Sequence, residues 1–141
     1  MEIDLTRAKE ELSAGGYTCV ICRENITYRT AERGVRPLLN WLENGTDLSS
    51  GCAADKVVGK AAAMLYCLLK VKAVYAGVLS KPALEVLNSY GVSVEYNKLV
   101  DAIENRTKTG LCPMEQATLH LTDPADAPAA IRKKLQELSQ Q

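Results

Sequence analysis

Residues 55–70, DKVVGKAAAMLYCLLK, constrain the fold more than any other stretch of the chain. Past Lys60 there is no charge until Lys70. Val57, Val58, Ala61, Ala62, Leu65, Leu68 and Leu69 fall on one helical face at spacings of three, four and seven. Ala63, Met64, Tyr66 and Cys67 leave the opposite face apolar as well. A helix that is apolar all round is buried on most sides, and the run is shorter than the roughly 18 apolar residues that span a bilayer. The stretch therefore predicts a central helix packed under a sheet. Its polarity is gathered at the N-terminal end, in Asp55, Lys56 and Lys60. Gly59 lies in the first turns, where glycine costs about 1 kcal/mol against alanine. A glycine there fits a place where another backbone, or a ligand, comes close.

The chemistry of that end has two readings. A helix N-terminus carries partial positive charge and favours anions. Lys56 and Lys60 are four apart and share a face, and Asp55 can cap free N–H groups. One reading is a capping aspartate followed by two solvated lysines. The other is a polar pocket at the mouth of a buried helix, suited to a phosphate or carboxylate.

Composition narrows the function classes. A chain of 141 residues suits one domain, spanning 1–141, with one sizeable core. Seventeen basic residues balance seventeen acidic ones, so no basic footprint argues for nucleic acid. The start, MEIDLTRAKEEL, is acidic and amphipathic and has no signal-peptide core. It points to the cytoplasm, where the five cysteines read as thiols and not as a disulfide framework. The three Asn-x-Thr matches, at Asn25, Asn44 and Asn105, are then chance.

Residues 3–12 predict a first helix, closed by Gly15-Gly16. Residues 17–22 (YTCVIC) and 26–30 predict two strands of a hairpin around the turn at Arg23-Glu24-Asn25. Val35, Leu38, Leu39 and Leu42 mark a short helix, with Pro37 in its first turn and Gly45 past its end. A polar loop, 46–51, feeds into the central helix. Residues 72–79 (KAVYAGVL) predict a buried strand, Pro82 opens a helix ended by Gly91, and 92–96 predict another strand. Strand, helix and strand in so short a span imply a right-handed crossover with parallel pairing. Residues 99–104 read as one or two helical turns, and 106–110 as a polar loop. Leu111-Cys112-Pro113-Met114-Glu115 puts Cys112 near a helix N-cap, and Ile131, Leu135 and Leu138 mark an amphipathic last helix. This order predicts an α/β fold: a three-layer α/β/α sandwich with a mixed sheet. Sites in such sheets gather at strand C-termini and helix N-termini.

The order of elements resembles the cytidine deaminase-like fold. The stretches ADKVVGKAAA, SKPALEVLNSYGV and TGLCPMEQA are similar to an uncharacterised family of short prokaryotic proteins assigned to that fold, and the resemblance runs from about Ile3 to His120. It implies a helix after the hairpin and first crossover that begins His-x-Glu or Cys-x-Glu, and a Pro-Cys-x-x-Cys at the start of the next helix, after a strand. The first place reads here Gly51-Cys52-Ala53-Ala54-Asp55-Lys56, and the second Ser80-Lys81-Pro82-Ala83-Leu84-Glu85. Asp55 stands in for the glutamate, with an arm about 1.5 Å shorter. Cys52 precedes it by three residues where the family pattern has two, and the later cysteine pair is absent. One thiolate without the second pair does not build the family's zinc site. The resemblance thus implies a scaffold whose ligand, if any, is nucleotide-like, and no metal or other cofactor.

Other candidates separate by geometry. Cys19-Val-Ile-Cys22 has the C-x-x-C spacing, but an odd separation on a strand puts the thiols on opposite faces. Cys67 reads as core, His120 is the only histidine, and Trp41 fits the core edge. Cys112 precedes Pro113 at a helix start with Glu115 three on, so it is either an activated thiolate, favoured further if Lys108 or Lys81 is near, or part of a capping box. Ser80 and Lys81, between a strand and a helix, could contact a phosphate or be solvated.

Two functions follow. One is a metal-free binder of a small anionic, nucleotide-like ligand, or a non-standard enzyme. Asp55, Cys112 and Glu115 would do the chemistry, and Lys56, Lys60, Ser80 and Lys81 would hold the ligand. The other is a non-catalytic interaction domain in which the helices at 3–12 and 128–138 serve a homodimer or a partner. Neither involves nucleic acid or a membrane.

Overall fold

The computed structural model describes residues 3–105 and 110–140. Lys108, and most of the loop expected at 106–110, lie outside them. Helix α1 (Ile3–Ala14) is followed by the hairpin β1 (Cys19–Arg23) and β2 (Ile26–Thr30), then by helix α2 (Arg36–Glu43). Strand β3 (Cys52–Val58), helix α3 (Lys60–Leu69), strand β4 (Ala73–Ser80), helix α4 (Lys81–Ser89) and strand β5 (Ser93–Val100) then alternate. Helix α5 (Pro113–Thr118), a 3-10 turn at Pro124–Asp126 and helix α6 (Ala127–Ser139) complete the chain.

The five strands form one mixed sheet in the order β2-β1-β3-β4-β5. β1 is antiparallel to both β2 and β3, while β3, β4 and β5 run parallel. Parallel neighbours need a crossover, and α3 and α4 supply the two. Both lie on one face with α2 and α6, where Leu38, Leu39, Met64, Leu65, Ala83, Leu87 and Ile131 close the main core over Ile21, Ala53 and Val74. Among the described residues α1 is the helix that covers the other face, with Leu5, Ala8 and Leu12 at helical spacing over Val20, Cys22, Cys52 and Ala54. The fold is thus the expected three-layer α/β/α sandwich with a mixed sheet. Among the described residues no helix is long and apolar enough to cross a membrane.

Two expectations are corrected. The central helix starts at Lys60, not Asp55, and residues 52–58 form the middle strand of the sheet. The chain is extended at Gly59, the N-cap, with φ −97° and ψ −175°. The loop before it therefore feeds a strand. A short apolar run fits either period, and the β-branched pair Val57-Val58 tips this one to extended structure. The helix expected at 99–104 is also absent. Leu99 and Val100 finish β5 by pairing with Leu79 and Ser80, and Glu104 makes a bridge to Leu111.

The sheet changes phase near its strand C-termini. Ala53 faces the main core and so does Val58, five residues on. Val74 and Ala76 do, and so does Leu79. An odd spacing flips a side chain to the other face of a regular strand, so both strands are irregular between these points. Gly77 sits in this stretch, where a Cβ would lie 2.7 Å from the Lys56 carbonyl oxygen. Asp55 stands just before the irregularity.

Candidate functional site

The starts of α3 and α4 are where an α/β sheet gathers its sites, and both are filled by the protein's own groups. Glu115, 5% exposed, reaches from α5 and accepts the Lys60 backbone N–H at 2.5 Å. That places a carboxylate on the positive end of α3. A Cβ on Gly59 would collide with this carboxylate and crowd Ile103, so the close approach expected at Gly59 is made by Glu115. The Lys60 ammonium turns away to the Leu119 carbonyl at 3.0 Å. At α4, Ser80 is fully buried and its hydroxyl accepts the Ala83 N–H at 3.2 Å, an N-cap. Lys81 pairs with Asp101 at 2.8 Å, both exposed. That contact holds the Lys81 pKa above its ordinary value and the Asp101 pKa below its own.

The residues assigned to one pocket are therefore spread. Lys56 lies on β3, exposed, so it shares no helical face with Lys60. Cys112 does occupy the N-cap position of α5, but its side chain caps nothing. Its N–H donates to the Ile103 carbonyl at 2.9 Å, and Glu115 serves α3 instead of closing a capping box.

Asp55 sits elsewhere, and its surroundings are the least ordinary in the molecule. It pairs directly across the sheet with Cys19 of β1 and faces α3. Tyr66 reaches down from α3 and donates its hydroxyl to Asp55 Oδ2 at 2.6 Å. The Cys19 thiol lies 3.1 Å from the same Tyr66 oxygen. The Val57 N–H, set free by the strand irregularity, donates to Asp55 Oδ1 at 3.3 Å. The result is a chain of three titratable side chains linking β1, α3 and β3.

Burial sets the charge states in this chain. Desolvation pushes the Asp55 carboxyl up from 3.8 to about 6, against the lowering effect of the bonds from Tyr66, Val57 and Lys56. Burial also raises Tyr66 and Cys19, and the Asp55 charge adds to both. At neutral pH the phenol and thiol hold their protons, and the carboxylate accepts from Tyr66. A half-buried carboxyl with a pKa close to neutrality can accept or give up a proton and can hold a ligand N–H.

The sequence pointed to Asp55 but not to its partners. By spacing alone Tyr66 falls on the apolar face of the helix, and Cys19 on a strand without chemistry. The available signal was the Tyr66 hydroxyl itself, because a phenol inside an apolar helix needs a polar partner. Among the described residues no three His, Cys, Asp or Glu side chains cluster closely enough to hold a metal ion. A cavity of about 480 Å³ opens on the other face, between α1 and the starts of β4 and β5, and another of about 220 Å³ lies between α2 and α6. Neither is lined by the Asp55 chain.

Comparison with known proteins places the chain in context. It superposes on the crystal structure of a DUF1893 family protein from Thermotoga maritima with a TM-score of 0.85 and 25% identity, covering 95% of this chain and 92% of that one. A diaminohydroxyphosphoribosylaminopyrimidine deaminase/5-amino-6-(5-phosphoribosylamino)uracil reductase from the same organism matches at a TM-score of 0.44 and 13% identity, over 67% of this chain and 35% of that one. No curated protein matches. The pattern of the DUF1893 domain of unknown function matches residues 7–135, and the chain belongs to that family.

Proposed function

We propose that the chain is a metal-independent binding domain for a small nitrogen heterocycle of nucleotide-like shape, and that Asp55 is the group that recognises it. The observation that supports this reading is the cost of Asp55. A carboxylate held half-buried against an apolar helix destabilises the fold at neutral pH, where an asparagine or an apolar residue would not. Groups retained at such a cost are concentrated at functional sites. An ionised Asp55 prefers a ligand edge with N–H donors, as a nucleobase offers. The charges around α3 add less. Lys60 and Lys81 are engaged, and Lys56 is exposed on β3. An anionic group on the ligand is therefore an addition to the binding and not its basis. Catalysis would be proton transfer at the Asp55 carboxyl.

Metal independence is supported by the residues at the helix starts. With β3 in place, the helix after the hairpin is α2 and the next, preceded by a strand, is α3. They open with Val35-Arg36-Pro37 and Gly59-Lys60-Ala61, which offer no thiolate, imidazole or carboxylate.

The test is thermal unfolding of chelator-treated protein against nucleosides, nucleotides and sugar phosphates. A ligand at a hundred times its dissociation constant stabilises by about 2.7 kcal/mol. The expected result is a response to nucleosides and nucleotides alike that disappears in Asp55→Asn. A response only to phosphorylated compounds, or one that survives in Asp55→Asn, contradicts the role of Asp55.

The second reading is an interaction domain without a small ligand. It is favoured by the way Glu115, Lys60, Ser80 and the Lys81–Asp101 pair satisfy one another at the helix starts. Ile3 on α1 and Leu138 on α6 are exposed and offer apolar contact to a second copy. Light scattering at high concentration decides the homodimer: a monomer removes it.

A further inference from the structure

We propose that Cys22 and Cys52 are a cross-strand dithiol that oxidises to a disulfide and ties the hairpin to the middle strand of the sheet. The two are direct partners in the antiparallel β1–β3 ladder. Both are fully buried on the face under α1, Cys22 beside Ala8, Leu12 and Ala54, and Cys52 beside Leu5 and Ala73. Cys19, three residues before Cys22, faces the main core on the other side. The C-x-x-C spacing therefore has no redox meaning, and the partner of Cys22 lies across the sheet.

The ladder also fixes the distance. Lys56 donates its N–H to the Thr18 carbonyl at 3.0 Å, so 18 and 56 are a hydrogen-bonded pair. Such pairs recur at every second position, at 20 with 54 and at 22 with 52. Their Cα atoms stand about 5.5 Å apart, inside the range of roughly 4.4–6.8 Å that a disulfide spans. The Cα spacing thus suits a bridge formed by rotation of the two side chains toward each other.

Access comes from α1, the one helix over this face among the described residues. It is held at its edges by polar contacts: Arg7 to the Glu24 carbonyl at 2.6 Å and to Thr27 at 3.1 Å, Lys9 to Glu95 at 2.7 Å, and Arg29 to Glu11. Exposed pairs of this kind each contribute little, so α1 lifts locally at less cost than the core opens. The oxidant is a small disulfide. The thiolate of one cysteine attacks it, a mixed disulfide forms and one thiol leaves. The second cysteine then displaces the other thiol. The protein loses two hydrogens, and one small disulfide becomes two thiols.

The experiment treats the native full chain with glutathione disulfide, with and without urea below the unfolding transition. The thiols are then counted and the linked peptides mapped. The expected result is a loss of 2 Da with a peptide joining Cys22 to Cys52, and a fall in thiols from the five present to three. Dithiothreitol reverses it, Cys22→Ala and Cys52→Ala abolish it, and Cys112→Ala retains it. Five persisting thiols in both conditions, glutathione adducts alone, or a bond between other cysteines overturns the proposal. Mapping on the unmutated chain decides the matter even if a variant fails to fold.

Discussion

Replacing Asp55 with asparagine should make the protein more stable at neutral pH. Asp55 has a folded pKa of about 6 against an ordinary value of 3.8. A group whose pKa is raised by folding contributes its full stability below the unfolded value and loses it as pH rises through the folded one. At about 1.4 kcal/mol per unit of pKa, the loss between pH 4 and pH 7.5 is about 3 kcal/mol. The partial exposure of Asp55 trims this to roughly 2–3 kcal/mol. An asparagine keeps the hydrogen bonds. Its oxygen accepts the Val57 N–H, its amide donates to the Tyr66 oxygen, and Tyr66 turns its own proton to Cys19. Urea unfolding of both proteins from pH 4 to pH 8 measures the difference. The variant should gain roughly 2–3 kcal/mol at pH 7.5, a rise in Tm of several degrees for a chain of this size. The gain should fade toward pH 4. A difference that does not change with pH, or a variant less stable than the parent at pH 7.5, refutes the reasoning.

Other consequences follow from the same contacts. Tyr66→Phe removes the donor to Asp55 and the partner of Cys19, and should cost about 1–3 kcal/mol at neutral pH. It should also move the Asp55 carboxyl titration, followed by carbon-detected NMR, further above 6, because the Tyr66 bond lowers it. Gly59→Ala should cost about 1–3 kcal/mol, since its Cβ meets the Glu115 carboxylate. A double-mutant cycle with Glu115→Ala should show that much of this cost depends on Glu115. Ser80→Ala should cost about 1 kcal/mol in chemical denaturation through the lost cap of α4.

Much of the fold was legible because the signals were local. The expected strand at 26–30 coincides with β2, Leu5, Ala8 and Leu12 form the buried stripe of α1, and Pro82 opens α4 as expected. β3 was not legible. CAADKVV contains too few alternating residues to show a period of two, and the helix-spaced residues after Gly59 continue smoothly into Val57 and Val58. That single miss moved Asp55 and Lys56 onto a helix end where neither belongs, and hid the pairing of Cys22 with Cys52. The site was legible in part. Asp55 was singled out, yet Tyr66 and Cys19 become its partners only through the β1–β3 register and the seating of α3 on the sheet. The role of Glu115 was also beyond local reading, because its partner Lys60 is 55 residues away.

The most direct measurement of the role of Asp55 is amide NMR on labelled protein as a nucleoside is titrated in. The account predicts shifts centred on Asp55, Val57 and Tyr66 and extending to Cys19, and none of them in Asp55→Asn. Shifts confined to Leu5, Ala73 and Ser93 in the cavity under α1, or to Lys81 and Asp101, would contradict it.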